Sequence, residues 1–210
     1  MKNETEKDID TAVKAYVAGL IAVLSDSAMK AFIVGDLQAH EMLKLKPVNS
    51  AIQSDAALYI KEYRKLLVDE GATIIKGKKV KWMANHEKEV RKEFTDVIEK
   101  GLKEGKHPGI KKPVRKGTIA YDIKEVVKGL QESKYPMWAR SETANVMNVG
   151  TLKRFESNDI EEVRVFDNEG PNSCEACMDA NGQTWSIQKA SANPLEHPNC
   201  VRAFGPIVKK

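Results

Sequence analysis

Apolar side chains recur at steps of three and four residues through most of the chain, which is the spacing of one face of an α-helix. The first such stripe predicts one long amphipathic helix, and it comprises Ile9, Val13, Tyr16, Val17, Leu20, Ile21 and Leu24. A second helix is predicted over residues 55–68, with its end at Gly71. A third is predicted over 85–104 with Gly105 as its cap, and a shorter fourth over 123–130. We interpret these stripes as helix-packing surfaces.

The pattern changes after the fourth helix, where shorter stretches follow one another. Pro136 suits the first turn of a helix that extends to about Phe155. The sequence Val-Arg-Val-Phe at 163–166 then predicts a short strand. The pair Asn181 and Gly182 predicts a turn that leads into a second strand.

Together these elements predict a mainly α fold. A helical region is expected over 1–132, and within it a short hairpin is predicted where apolar residues flank Gly77. A small α+β module is expected over 133–210.

Composition is that of a globular protein, since 41% of the 210 residues are apolar and 30% are charged. The formal charge of +4 is too small by itself to indicate nucleic-acid binding. The chain starts with charged residues, and the apolar stretch 16–24 is too short and too polar at its ends to span a bilayer. We therefore expect a protein that folds in the cytoplasm without a membrane anchor.

Positive charge is concentrated in one segment. Residues 76–116 contain fourteen basic and six acidic side chains, so the rest of the chain is net negative. Such a segment suits a polyanion or an acidic protein surface, although a lysine-rich helix with interleaved glutamates is also typical of a plain solvated face. The basic residues that we predict as nucleic-acid contacts are Lys76, Lys78, Lys79, Lys81, Lys111, Lys112, Arg115 and Lys116.

All three cysteines and one histidine lie within residues 174–200. Cys174 and Cys177 are separated by two residues, and the pair His197 and Cys200 repeats that interval. Two tight turns of this kind can present four ligands at the corners of a tetrahedron, which is the geometry of structural Zn(II) sites. Three thiolates and one imidazole leave no open position, so the sequence predicts a structural rather than a catalytic metal.

The metal hypothesis has an alternative. Cys174 and Cys177 could form a labile disulfide, or all three thiols could be unligated with His197 exposed. An odd number of cysteines and a reducing compartment disfavour disulfides. Large apolar residues are scarce between 178 and 200, so a bound metal would contribute much of the stability of this stretch.

No catalytic motif is present in the sequence. It has neither the HxE and PCxxC pair of zinc deaminases nor HExxH, a P-loop, GxGxxG or GxSxG. His86 and His107 have no acid–base partner that spacing assigns, His40 precedes Glu41 on a predicted helix, and for all three we expect surface or capping roles. We therefore expect that the protein is not an enzyme.

The C-terminal motifs resemble those of the phage Mu F-like minor head proteins, also called phage head morphogenesis proteins. That family has an Ala-Arg-Thr-Glu box with a downstream Asn, a CxxC, a Gly-x-x-aromatic step and a terminal His-Pro-x-Cys. The matching residues are Ala139, Arg140, Glu142, Asn148, Cys174, Cys177, Gly182, Trp185, His197, Pro198 and Cys200, with Ser141 in place of the usual threonine. Val201 and Arg202 stand where many relatives have Arg-Cys, so a second terminal cysteine is missing while four ligands remain.

The resemblance spans residues 136–206 and implies a virion protein of a tailed virus, present in few copies. It implies a place in the head interior near the portal, after assembly in the host cytoplasm, and roles in head assembly and in genome packaging or delivery. The partners it implies are the portal protein, a scaffold or major capsid protein, and viral DNA bound without sequence preference. In this interpretation Arg140, Glu142 and Asn148 form buried contacts that orient the module.

Two alternatives from other functional classes stay open. One is an unrelated zinc-dependent DNA-binding regulator. The other is a toxin-like enzyme in which Arg140 and Glu142 serve a reaction, because related modules are fused to toxin domains in other proteins.

Overall fold

The computed structural model describes residues 2–75, 78–106, 116–133, 135–167, 170–171, 173–197 and 200–208. These residues form a mainly helical protein with two small antiparallel sheets, which confirms the predicted class. The helices are α1 (Lys2–Met42), α2 (Asn49–Glu70), α3 (Trp82–Lys103), α4 (Ile119–Ser133), α5 (Tyr135–Glu156), α6 (Glu175–Ala180) and α7 (Ile187–Ala192). The strands are β1 (Thr73–Ile75), β2 (Lys78–Val80), β3 (Glu162–Phe166), β4 (Thr184–Ser186) and β5 (Ala203–Pro206).

The predicted helix ends agree with the structure where a glycine determines them. Gly71 follows α2 with a φ of 57°, the left-handed conformation that glycine adopts without strain, and its N–H donates to the Leu67 carbonyl at 3.1 Å. The hairpin of β1 and β2 is confirmed, although its turn at Gly77 lies outside the described residues. By contrast, α1 continues to Met42, well beyond the predicted stripe.

One packing unit comprises Met1–Ile21 and Trp82–Pro136. Gly101 of α3 allows a close approach of Ile119 in α4, since a Cβ at that glycine would lie 2.6 Å from the Ile119 Cγ1 atom. The stripes predicted from the sequence meet in the core of this unit. The fully buried members of that core are Val13, Val90, Phe94 and Leu130.

The other packing unit comprises Ala22–Lys81 and Met137–Lys210. Its sheet has the order β4-β3-β5, and both outer strands are antiparallel to β3. Alternate side chains of β3 are buried, and Val163 pairs with Trp185 across the ladder. One face of the sheet therefore forms an apolar core. Its buried residues are Ala39, Leu152, Phe155, Val163, Val165, Ala180, Trp185, Ile187, Ala190 and Phe204.

In this second unit α1 and α5 cross at a very short distance because each carries a glycine at the crossing. A Cβ on Gly35 would collide with the Met147 carbonyl, and one on Gly150 would collide with the Phe32 carbonyl. The Thr151 hydroxyl donates a hydrogen bond to the Gly35 carbonyl at 2.9 Å. The two backbones are thus in direct contact, and the C-terminal half of α1 packs through Ala39 against the apolar core of the sheet.

A buried ion pair fixes the same crossing. Asp36 of α1 is 2% exposed, and Arg154 of α5 donates to its two carboxylate oxygens at 2.9 and 3.0 Å. This two-point geometry holds both side chains in one orientation. The pKa of Arg154 is raised, chiefly by its hydrogen bond to Asp36.

Two histidines that we expected at the surface are buried. The His86 ring is 3% exposed, and its Nε2 atom lies 3.0 Å from the Tyr16 hydroxyl. The His40 ring is 6% exposed, and its Nδ1 atom lies 2.8 Å from an Asp36 oxygen, one turn earlier in α1. Surface or capping roles were predicted, and burial contradicts the surface part of that prediction for both rings. Each ring has a polar partner that compensates its burial. His107 lies outside the described residues.

The two packing units divide the chain differently from the regions 1–132 and 133–210. Segment Ala22–Lys81 packs with the C-terminal module, because Gly35 and Ala39 contact that part of the chain.

The apolar stretch 16–24 belongs to a longer apolar helix than the sequence predicted. Within α1, Asp10–Met42 is long and apolar enough to cross a membrane by length and composition, a criterion that core helices of soluble proteins also meet.

Candidate metal centre

Short segments around the sheet position the candidate ligands. Cys174 immediately precedes α6, and Cys177 lies in its first turn, where its N–H donates to the Cys174 carbonyl at 3.1 Å. His197 lies in the loop after α7, and Cys200 lies just before β5. The structure therefore brings the four predicted ligands close together, with the CxxC pair on the start of a helix.

The candidate donor atoms form two groups that share Cys177. The ligand atoms of Cys174, Cys177 and His197 all lie within 4.8 Å of one another. Cys177 Sγ lies 3.4 Å from His197 Nε2 and 3.8 Å from Cys200 Sγ. With Zn–S and Zn–N bonds of about 2.3 and 2.0 Å, tetrahedral ligands lie about 3.8 Å apart for two sulfurs and about 3.5 Å for sulfur and nitrogen. The two distances from Cys177 are therefore compatible with tetrahedral coordination.

A fifth donor, Asp167, adjoins the cluster. Its Oδ1 atom lies 3.6 Å from Cys200 Sγ, and Asp167, Cys177 and Cys200 form a second group with ligand atoms within 4.8 Å. Asp167 was not predicted as a donor because it lies outside the CxxC and HxxC spacing. It follows β3 directly, and the β3–β5 register places it beside Arg202. Since β5 was not predicted, this juxtaposition could not be predicted either.

Arg202 connects the cluster to the sheet core. It is 2% exposed, and its Nε donates to Asp167 Oδ2 at 2.8 Å. Its guanidinium also lies 3.5 Å from a Glu196 oxygen and 4.8 Å from the centre of the Trp185 ring, and it donates to the Asn193 carbonyl at 3.2 Å. Two carboxylates and a carbonyl thus compensate a buried charge that would otherwise be strongly destabilising.

The two thiols of the CxxC pair differ in acidity. The pKa of Cys174 is lowered, chiefly by the backbone N–H of Cys177 and then by the Cys177 side chain and His197. The pKa of Cys177 is raised, chiefly by burial and also by the nearby Cys174, Cys200 and Asp167. Neighbouring groups that become negative when they ionise favour the neutral form of the Cys177 thiol, unless a cation lies among them. A divalent cation would reverse that preference at Cys177.

Asn148 of α5 fixes both ends of the loop that carries His197 and Cys200. Its Nδ2 atom donates to the Pro194 carbonyl at 2.8 Å and to the Arg202 carbonyl at 2.7 Å. The residue is 6% exposed, so both hydrogen bonds form away from solvent. One amide therefore holds the two sides of the ligand loop against a rigid helix.

Glu142 and Arg140 have different environments on α5, as their spacing of two residues predicts. Glu142 is 3% exposed and accepts a hydrogen bond from the Tyr63 hydroxyl at 3.0 Å. Burial, and then the charge of Glu142, raises the pKa of Tyr63. Arg140 is exposed, contrary to the expected buried contact, and it lines a surface cleft of about 390 Å³ beside Met147 and Cys200.

Gly182 and Trp185 have structural positions in the sheet. Gly182 has a φ of 73°, in the left-handed region, and its N–H donates to the Val165 carbonyl at 2.9 Å. Trp185 is 7% exposed, and its indole N–H donates to the Gln183 side chain at 2.9 Å. The amine of Lys189 lies 4.3 Å from the centre of the Trp185 ring. Trp185 is therefore a core side chain that contacts two cations.

The predicted nucleic-acid contacts are only partly covered by the described residues. Those outside them are Lys76, Lys111, Lys112 and Arg115. Lys78 and Lys79 belong to β2, and Lys79 pairs with Glu70 at 2.6 Å, while Lys81 and Lys116 are exposed. Helix α3, in the middle of the basic segment, carries as many acidic as basic residues, so the excess charge lies at the two ends of the segment.

The structure thus places Cys174, Cys177, His197, Cys200 and Asp167 where they could bind a metal ion. Arg202 and Asn148 hold the surrounding loops in position. No protein-family model, curated protein or solved structure matches the chain.

Proposed function

We propose that this protein is a structural minor head protein of a tailed virus whose C-terminal module is held together by one structural Zn(II). It acts in the head interior near the portal, in head assembly and in genome packaging or delivery. The observation that carries the proposal is the arrangement of the residues that resemble the Mu F-like motif. Asn148, Gly182 and Trp185 all have buried or conformationally required positions in the unit that holds the CxxC and HxxC ligands.

Zinc is the metal we assign because the candidate donors are three thiols and one imidazole, and Cys177 lies at tetrahedral ligand spacing from both His197 and Cys200. The fifth donor, Asp167, already pairs with Arg202, and we place it outside the coordination shell as a carboxylate that orients Cys200. A site with four protein ligands has no position for a substrate. The metal would therefore stabilise the loops rather than take part in a reaction.

A structural role for Glu142 supports the same proposal. Its carboxylate is buried and hydrogen-bonded to Tyr63 on α2, so it holds two helices together. A catalytic carboxylate needs access to a substrate, and burial to 3% exposure disfavours that access.

Binding to the portal protein tests the functional proposal most directly. The full chain, purified under reducing conditions with zinc, would be mixed with the portal protein of the same virus and sedimented. We expect the chain to move with the portal assembly. A chain that is folded and metal-loaded yet stays with the free fraction at micromolar concentrations would contradict the proposal.

DNA binding by the basic segment has its own test. We expect affinity for duplex DNA to fall steeply with salt, without sequence preference, because the contacts are to phosphates. Charge reversal at Lys78, Lys79, Lys111 and Lys112 should weaken binding. The matched control reverses four exposed lysines elsewhere, Lys61, Lys65, Lys124 and Lys128. Equal effects of both variants, or a salt-independent and sequence-selective footprint, would contradict this part and favour a regulator.

A further inference from the structure

Helix α1 exposes a ridge of residues at four-residue steps in the second packing unit. Ala22, Asp26, Lys30 and Val34 are all exposed, and they lie on one side of the helix because successive members are about one turn apart. Apolar side chains flank the ridge, since Val23 is 62% and Leu37 is 38% exposed. The opposite side of the helix is the one that packs in the unit, through buried residues such as Phe32 and Gly35.

The ridge belongs to a helix that is more apolar than its burial explains. The most apolar window within Asp10–Met42 has a mean hydropathy of 1.8, yet only 33% of that window is buried. Exposed valines and leucines on a continuous helix face are unfavourable in water and are typical of a surface that a partner covers.

The order of residues along the ridge is self-complementary. Asp26 and Lys30 lie two residues before and two residues after position 28 of the helix. Ala22 and Val34 lie six residues before and six residues after the same position, so both pairs are symmetric about one level of the helix axis. A second α1 that runs antiparallel across a two-fold axis at this level sets Asp26 opposite Lys30 of the second copy, and Lys30 opposite Asp26. It also sets the small Ala22 against the larger Val34. Charge and size are therefore matched by a single symmetric arrangement.

The Asp26 and Lys30 side chains are already near each other in one chain. Lys30 Nζ lies 2.7 Å from Asp26 Oδ2, and the two side chains are 74% and 68% exposed. Antiparallel pairing would extend this ion pair into a square of four alternating charges at the centre of the contact. Such a network fixes the register and orientation of two helices more than it adds to their affinity.

We infer that the exposed ridge Ala22–Asp26–Lys30–Val34 of α1 is a self-association surface that binds a second copy of this chain in antiparallel orientation. A lipid bilayer fits the ridge less well, because two charged side chains at the middle of a membrane-spanning helix are costly. The contact area of one helix face is small, so the association is weak and reversible. The inference rests neither on the metal centre nor on the viral role.

Sedimentation velocity of the metal-loaded full chain over a range of concentrations tests the inference. We expect a monomer–dimer equilibrium. Lys30→Asp places two acidic residues opposite each other in both symmetric contacts and should weaken dimerisation on the order of tenfold. Asp26→Lys should act in the same direction. The double variant Asp26→Lys with Lys30→Asp restores the opposite charges and should recover most of the affinity.

The matched control is Lys128→Asp, which changes an exposed lysine of another helix that also has an i,i+4 acidic partner. It should leave dimerisation unchanged. A monomer at all concentrations, or a dimer that Lys30→Asp and Lys128→Asp affect equally, would overturn the inference. Flotation of the chain with phosphatidylcholine–phosphatidylglycerol vesicles, together with a monomeric state in solution, would also overturn it and favour a lipid partner.

Discussion

The three-stranded sheet and the ligand loops belong to the same packing unit, but different interactions stabilise them. The sheet core contains ten buried residues, including Phe155, Trp185 and Phe204. Among the described residues, the cluster around the ligands contains only Cys177, Leu195 and Cys200 as buried apolar members. Burial of a large apolar side chain contributes about 1.5–3 kcal/mol, so several of them account for the sheet while one leucine cannot order the ligand loops.

Polar anchors stabilise the ligand loops, which have little apolar burial, and in our proposal metal coordination adds to them. Asn148 holds two carbonyls, and Arg202 holds a carboxylate next to Cys200. Metal binding in small zinc modules contributes roughly 10–16 kcal/mol at neutral pH, which is much larger than any of these contacts. The proposed ion would therefore order loops that have few apolar residues, because donors from distant segments converge on it.

The largest effect of a single substitution is expected in the sheet. Phe204→Ala removes a fully buried ring from β5 and should lower the free energy of unfolding by about 3–5 kcal/mol, as measured by urea denaturation. Phe166→Ala is the control, because that ring in the neighbouring strand is 51% exposed and should contribute less than about 1 kcal/mol. Equal losses would mean that the sheet is not held by its apolar face.

Asn148→Ala should destabilise the ligand loops rather than the sheet, because its two hydrogen bonds hold the ends of the loop with His197 and Cys200. Two buried carbonyls lose their donor, so the expected loss of stability is about 2–4 kcal/mol. Competition with a chelator should also show weaker metal binding. Asn85→Ala, at an exposed asparagine of α3, should change neither property. If the Asn148 variant kept full metal affinity, the loops would be ordered without this clamp.

Gly150→Ala tests the helix crossing that carries both regions. The added methyl group would collide with the Phe32 carbonyl of α1, so we expect a loss of about 1–3 kcal/mol in thermal or urea unfolding. The matched change is Gly129→Ala in α4, where a Cβ meets open space and helix propensity should stabilise the protein by up to about 1 kcal/mol. A neutral result at Gly150 would argue against the close backbone contact.

The smallest expected effect is a loss of stability at alkaline pH. Burial and Glu142 raise the pKa of Tyr63, so the folded state keeps the phenol proton where the unfolded chain has lost it. This contribution is complete below about pH 10 and falls by about 1 kcal/mol between pH 10 and 11. Burial also raises the pKa of Tyr59, so Tyr63→Phe should reduce this decline by about half. Tyr121→Phe, at a half-exposed tyrosine of α4, should leave it in place. An equally steep decline in both variants would exclude Tyr63 as its source.

Local signals in the sequence predicted much of the helical architecture. Apolar spacing of three and four residues identified the stripes that pack in both units, and Gly71 marked the end of α2 through its left-handed backbone. The CxxC and HxxC intervals identified four residues that the structure brings together. These predictions depend on contacts or conformations that are set within a few residues.

The unpredicted features depend on tertiary pairing. Asp167 and Arg202 are adjacent only because β3 pairs with β5, and neither residue has a local signal. The burial of His40 depends on Asp36, which lies one turn away on α1. The apolar stripe predicted from the sequence stops at Leu24, so it did not include this part of the helix. The role of the glycines at the crossing of α1 and α5 could likewise not be predicted, because it depends on the contact between the two helices.

Hydrogen exchange of the reduced, full-length protein with and without a zinc chelator tests the central claim most directly. If one ion holds Cys174, Cys177, His197 and Cys200, chelation should increase amide exchange of the ligand loops, at residues 174–178, 195–197 and 200–202, by at least about 100-fold, while β3 and β4 stay protected. Identical exchange of these loops in both conditions would contradict the claim that a metal orders them.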